Sequence, residues 1–218
     1  MFIPLKDLNP RRTFPFVNIT LILVNVAVFL YQITLPPRVE QVFVLAHATV
    51  PSRFLSFLNG HLGFETAFLP LVASMFLHSG ILHIAGNMLF LWIFGDNVED
   101  FFGHFPYLLF YLVCGIGAGL LHVLFNLHST LPALGASGAI SGVMGAYLIL
   151  YPRERILTLA FIFLIPIPAV FILGYWFLLQ FLSGVSSIGA SATGGVAWWA
   201  HVGGFLLGAL IALLARQR

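Results

Sequence analysis

Residues 134–152 read LGASGAISGVMGAYLILYP, an uncharged run that opens after Gly135 and stops at Pro152. Gly138, Gly142 and Gly145 fall at i, i+4 and i+7, which is one face of an α-helix. Small residues in such a stripe let helix backbones meet in lipid. A helix of about 15 residues from Ser137 to the proline rises roughly 22 Å. The hydrocarbon core of a bilayer is about 30 Å thick. With its far end near one boundary, this helix starts roughly 8 Å beneath the other. The stretch therefore predicts a short membrane helix with a serine at its submerged end.

The rest of the chain agrees with lipid as the solvent. Hydrophobic residues make up 60% of the 218 and charged residues only 7%, against about 25% charged in soluble domains. Hydropathy and breakers mark six spans at about 14–35, 79–100, 106–126, 137–151, 166–183 and 196–214. The expected fold is an all-α polytopic membrane protein, one domain over 1–218. Ser79 is the expected N-cap of the second span. The fifth contains Pro166 and Pro168 and is expected to start near the first of them. A long outer loop, 36–78, is expected to lie partly in the interface, because unpaired backbone is not tolerated against lipid.

Lys6, Arg11, Arg12, Arg153, Arg155, Arg216 and Arg218 fall on one side of these spans, and only Arg38 and Arg53 on the other. The positive-inside rule then places both termini in the cytoplasm. The first span has no small-residue cleavage site after it and reads as a retained helix. Without a transit peptide or a long soluble extension, the expected location is a prokaryotic plasma membrane. The net charge of +2 and the lack of a basic cluster argue against a nucleic-acid partner. Cys114 stands alone in an apolar run and reads as helix packing.

Polar groups inside spans are costly and mark sites. Asn18, Asn25, His83, Asn87, Ser137, Ser141 and His201 are such groups. Spans two, four and six run from outside to inside, and His83 with Asn87, Ser137, and His201 fall early on them, at similar depth. That combination fits acyl transfer. A serine hydroxyl needs a positioned base, which His201 can supply. The oxyanion of the intermediate needs donors. The start of span four offers the Ser137 backbone N–H beside Gly135, and His83 and Asn87 share a helix face from which they can donate. No Asp or Glu lies between Asp100 and Glu154 or after Glu154, so the reading is a Ser–His pair. Gly204 and Gly208, after His201, form a second small-residue stripe.

Other readings compete. Ser141 is a rival nucleophile one turn deeper. A site of His78, His83 and His201 would be a metal centre, but no HExxH pattern is present. A lipase-type GxSxG fails because Ala139 fills its last position. His47, His61, His104, His122 and His128 read as interfacial or loop residues, and Trp198 with Trp199 as an interface belt.

Gly135-Ala136-Ser137-Gly138 resembles the GxSG of the rhomboid family of intramembrane serine proteases. His78, His83 and Asn87 match its HxxxxHxxxN, and Ala200-His201 with Gly204 and Gly208 its AHxxGxxxG. The three motifs stand in the family's order, and the resemblance covers about residues 70–215. It implies a six-helix rhomboid-like bundle that cleaves transmembrane proteins within or near their spans. It further implies Ser137 as nucleophile, His201 as base, His83 and Asn87 as oxyanion-hole side chains, and Glu99 as a structural acid; for His78 two readings stand, a residue that shapes the loop or bonds locally and a further member of the oxyanion site. No cofactor or metal is implied; the partners are transmembrane substrates and the bilayer. The chain departs from the family at Ser141, where an aromatic residue often packs on the histidine, and in lacking the Trp-Arg pair of the first loop. A family member without activity, acting as a membrane-protein binder, is the alternative. Residues 183–195, built of small residues without charge, are expected to form a lid over the pair, with the fifth span as a lateral gate.

Overall fold

A computed structural model describes residues 2–188 and 196–217. Long apolar runs become helices, and prolines and glycines set their ends. Helix α1 (Phe16–Thr34) follows Pro15 and stops before Pro36. Helices α2 (Pro37–His47), α3 (Pro51–Leu58) and α4 (Phe64–Ala73) come next, with a 3₁₀ turn at Ser74–Phe76. Helix α5 (Ile81–Phe102) ends at Gly103, whose φ of 79° halts it, and α6 (His104–Phe125) begins at once. Then follow α7 (Ser137–Leu150), α8 (Ala169–Ser187) and α9 (Trp198–Arg216). Helices α1, α5, α6, α8 and α9 are long and apolar enough to cross a membrane. The protein is an integral, multi-pass membrane protein built as a helical bundle.

The short helix α7 has 14 residues, and Gly138 to Tyr147 are all buried. Its neighbours touch it backbone to backbone. A Cβ on Gly204 would stand 2.0 Å from the Gly138 carbonyl oxygen, and one on Gly208 2.0 Å from that of Gly142. A Cβ on Gly145 would lie 2.1 Å from the Phe205 carbonyl oxygen. Only hydrogen fits at these positions, so α9 lies directly on α7. On another face, Ala118 and the buried Cys114 of α6 approach Gly138 and Gly142.

Two parts differ from the sequence expectation. Segment 36–78 is largely helical rather than a loop. Pro37 and Pro51 each stand in the first turn of a helix, where a missing N–H costs nothing. Phe54, Phe57, Phe64 and Phe68 join α3 to α4 through edge and stacked ring contacts. Ser79 is not the N-cap of α5; Gly80 is, and the helix starts at Ile81.

The second difference is a three-stranded antiparallel sheet beside the helices, in the order β1 (Phe2–Asp7), β2 (Arg155–Ala160), β3 (Phe163–Pro168). The apolar run around Pro166 therefore begins as a strand, and the fifth span starts only at Ala169. Prolines are tolerated in β3 because it is an edge strand, paired on one side only.

The sheet lies at the end of the bundle where α7 and α9 finish. There Arg216 Nη1 donates to the Ile149 carbonyl (3.0 Å), and Tyr147 Oη donates to Asp7 Oδ2 (3.1 Å). Buried Glu99 accepts from the backbone N–H groups of Val17 (2.9 Å) and Asn18 (2.7 Å), and so caps α1 from α5. Asn18 donates to the Leu91 carbonyl and accepts from Tyr107 Oη, which ties α1 to α5 and α6.

Two outcomes follow for stability. Gly204→Val should destabilise the fold by ~3 kcal/mol or more in detergent, because backbone must move to admit the side chain. Gly86→Ala, whose Cβ would meet nothing within 4 Å, should leave the melting temperature unchanged or slightly higher. Equal melting temperatures for the two variants would refute the seam. The second outcome concerns Asp7. Burial first, and then the charge of Asp96, push its carboxyl up to about 7, against the hydrogen bond from Tyr147. A carboxyl raised in the fold favours the protonated state. The stability this gives is present below about pH 4 and is lost as pH rises through about 7. The melting temperature should fall between about pH 4 and pH 7, and Asp7→Asn should flatten that fall. An identical fall in Asp7→Asn would rule Asp7 out as its source.

Candidate active site

The site forms where α7 starts. The chain reaches it through Gly135, whose φ of 125° disfavours any side chain and whose N–H donates to the Ser74 carbonyl (2.8 Å). Thr49 pairs with Ala133 just upstream through two backbone hydrogen bonds of 2.8 and 3.0 Å. Segment 36–78 thus braces the approach to Ser137. Among the described residues no side chain caps α7, whose N-cap is Ala136; the first N–H groups of a helix have no partner within it.

Ser137 is partly exposed, and its Oγ lies 2.8 Å from His201 Nε2. The α7–α9 seam makes this contact possible, since Gly204 stands one turn beyond His201. Ser141 is fully buried, and its Oγ donates to the Ser137 carbonyl at 2.6 Å. Its hydroxyl is engaged with its own helix.

His83 and Asn87 face the same point from α5. A Cβ on Gly135 would lie 2.8 Å from His83 Nε2 and 3.6 Å from Asn87 Nδ2. The Ser79 backbone N–H donates to His83 Nδ1 (3.4 Å), and Ser79 Oγ lies 3.0 Å from the same nitrogen. A nitrogen that accepts from a backbone N–H carries no proton, so neutral His83 holds its proton on Nε2, toward Gly135. Asn87 Nδ2 is buried and has no hydrogen-bond partner. An amide donor without a partner is costly, and here it stands beside the approach to the serine.

His78 does not share this arrangement. It is fully buried, its ring lies edge-on to His83 with centroids 5.1 Å apart, and neither ring nitrogen has a partner. Its backbone is clamped by Gln32, which donates to the His78 carbonyl (2.9 Å) and accepts from its N–H (3.3 Å). Among the described residues no cluster of three His, Cys, Asp or Glu could hold a metal ion.

Two further histidines are on α6. His104 opens α6 with Nδ1 2.5 Å from Glu99 Oε1. His122 lies on α6 and lines a cavity of about 40 Å³ together with Thr49, Ser74, Gly135 and Ser137. Such a volume admits a water molecule.

Sequence reasoning missed three side chains on this site. Ser79 holds His83. Gln180 Oε1 lies 2.7 Å from His201 Nδ1, and the Trp176 ring lies against the imidazole with centroids 5.9 Å apart. Gln180 had a signal, a lone amide in an apolar span. Of the stretch expected to form a lid, residues 189–195 lie outside the described residues, and 183–187 belong to α8.

The family described as Rhomboid domain matches residues 65–218. The chain is 30% identical over 154 residues to Rhomboid protein 1, mitochondrial, of Saccharomyces cerevisiae, covering 67% of this chain and 42% of that protein. It is 38% identical over 104 residues to RHOMBOID-like protein 6, mitochondrial, of Arabidopsis thaliana, covering 44% and 33%. Over 78 residues it is 42% identical to Rhomboid protease GluP of Bacillus subtilis, covering 36% and 15%. Each alignment spans less than half the length of the relative.

The proton position on His83 is open to measurement. ¹⁵N NMR of labelled protein at neutral pH should find His83 protonated on Nε2 and bare on Nδ1. A protonated Nδ1 would contradict the bond from Ser79 and the donor role toward Gly135.

Proposed function

Because the chain belongs to the rhomboid family, we propose that it is an intramembrane serine endopeptidase with Ser137 as nucleophile and His201 as general base. The observation that carries this reading is the 2.8 Å contact between Ser137 Oγ and His201 Nε2, made across a seam of glycine backbones. Ser137 Oγ attacks the scissile carbonyl while its proton passes to Nε2. The C–N bond breaks as the imidazolium returns that proton to the leaving amine. Water, activated by the same nitrogen, then hydrolyses the acyl-enzyme. The cavity beside Ser137 and His122 is a place from which that water reaches the ester.

The oxyanion is met by the Ser137 N–H, Asn87 Nδ2 and His83 Nε2. The partnerless Asn87 amide supports this role, since a donor held ready costs little to reorganise when charge develops. His78 acts behind them by packing on His83. The substrates are transmembrane proteins, since a site within the bundle receives its peptide from lipid. In this reading the end where α7 and α9 finish faces the cytoplasm and Ser137 opens to the outer side, which the excess of Lys and Arg at that end supports. Every catalytic step uses side chains of this chain and calls for no metal or cofactor.

Cleavage of a single-span protein in liposomes tests the reading. Ser137→Ala and His201→Ala should each abolish cleavage, and the double variant should be no worse than either. Ser141→Ala should stay near wild type. Asn87→Ala should lower kcat by roughly 10- to 1000-fold, as loss of an oxyanion donor does. Cleavage that survives in folded Ser137→Ala would overturn the assignment. A loss confined to Ser141→Ala would move the nucleophile one turn deeper.

A further inference from the structure

His201 is engaged at both ring nitrogens. Nε2 meets Ser137 Oγ, and Nδ1 meets Gln180 Oε1 at 2.7 Å. Gln180 is on α8, 9% exposed, in a helix that is otherwise apolar around it. Trp176 precedes it by one turn on the same face, and its ring lies against the imidazole at 35°. One face of α8 therefore supplies both a flat surface for the imidazole and an acceptor for its far nitrogen. An amide in a membrane helix is costly unless it is bonded, and this carbonyl is spent on the histidine.

We propose that Gln180 is a positioning residue for this base, accepting the Nδ1–H of His201 and so leaving Nε2 bare to take the serine proton. The proposal rests on the reading of Ser137 and His201 as nucleophile and base. A neutral imidazole has one N–H, and a base needs it on the nitrogen away from its substrate. An amide carbonyl at Nδ1 selects that tautomer. When Nε2 takes the Ser137 proton, the ring becomes a cation and keeps donating from Nδ1–H to the same oxygen. No proton passes to Gln180; the one on Nε2 goes on to the leaving amine. The amide does the orienting work of a third group in a triad without a buried negative charge. Since it is carried by α8 and not by α7 or α9, the base is set only while α8 is seated on α9.

The test compares wild type, Gln180→Leu and Gln180→Glu as full chains in liposomes. It measures kcat and KM for a single-span substrate, the rate of labelling by a small fluorophosphonate, and the pH dependence of each. The other titratable groups acting on His201 are His83 on α5 and His122 on α6, common to all three proteins. Gln180→Leu should lower kcat and the labelling rate together, by roughly ten- to a hundredfold, as loss of an orienting partner does, with KM little changed. Gln180→Glu restores an acceptor and adds a charge that favours the imidazolium. It should recover most of the rate at high pH, with its acid limb moved to higher pH than in wild type. Labelling within twofold of wild type in Gln180→Leu overturns the proposal, even if substrate cleavage slows, because α8 would then act only on substrate access. If Gln180→Leu does not fold, Gln180→Glu decides alone, and an acid limb superimposed on that of wild type overturns the proposal. Ser137→Ala runs beside them: if it still cleaves, the dyad reading has failed, whereas an inert Ser137→Ala with an unaffected Gln180→Leu fails this inference only.

Discussion

The contact of the α7 and α9 backbones fixes the geometry of everything else. Gly138, Gly142 and Gly145 on one helix and Gly204 and Gly208 on the other leave no side chain between the two backbones. Water gives no drive for this approach, since lipid tails are as apolar as the helices; close van der Waals packing does. The seam sets Ser137 and His201, each at the head of its helix, within hydrogen-bond distance across it. At 14 residues, α7 is also shorter than the helices of span length around it, which have 19 to 22.

Around that seam, the buried polar groups are handled one by one. Glu99 caps α1, Asn18 bridges three helices, and Gln32 clamps the backbone of His78. Each of these bonds joins residues far apart in the chain, and each satisfies a group that would be expensive against hydrocarbon. They also place the site. Gln32 fixes His78, His78 backs His83, and Ser79 turns the proton of His83 toward Gly135. Among the buried side-chain atoms of the described residues left without a partner, Asn87 Nδ2 stands by Gly135, on the approach to the serine.

Much of this was legible in the sequence because membrane helices announce themselves locally. Apolar runs, the first stopped by Pro36 and the fourth by Pro152, pointed to the spans, and the few polar residues within them pointed to Ser137, His201, His83 and Asn87. The sheet was not legible. Phe2–Asp7 pairs with Arg155–Ala160, and no local pattern joins two six-residue stretches that far apart. The Phe163–Pro168 stretch is as apolar as a span, so hydropathy merged it with α8. Segment 36–78 hid its helices because they are short and rely on rings such as Phe54 and Phe68 meeting in space. Gln180 was missed for a related reason. Its importance comes from the partner that packing brings to it, and a glutamine in an apolar run has no spacing relation to a histidine 21 residues on.

Sequence reading left open what would hold His201, because Ser141 occupies the place where the resemblance leads one to expect an aromatic ring. The structure answers from a different helix. Trp176 lies against the imidazole and Gln180 meets its far nitrogen, while Ser141 folds its hydroxyl back onto α7. The substitution of helix has a physical logic. A small residue at 141 keeps that face of α7 compact, and the ring that lies against the imidazole is carried by α8. A neutral amide suits the place better than a carboxylate. Removing a carboxylate from water costs several kcal/mol even after relaxation, and the pair it forms often fails to repay that. An amide carbonyl orients the same N–H at a lower desolvation cost. A helix other than the two that form the seam thus supplies the partner of His201 Nδ1, and in the proposed mechanism the seating of α8 and the readiness of His201 are one condition.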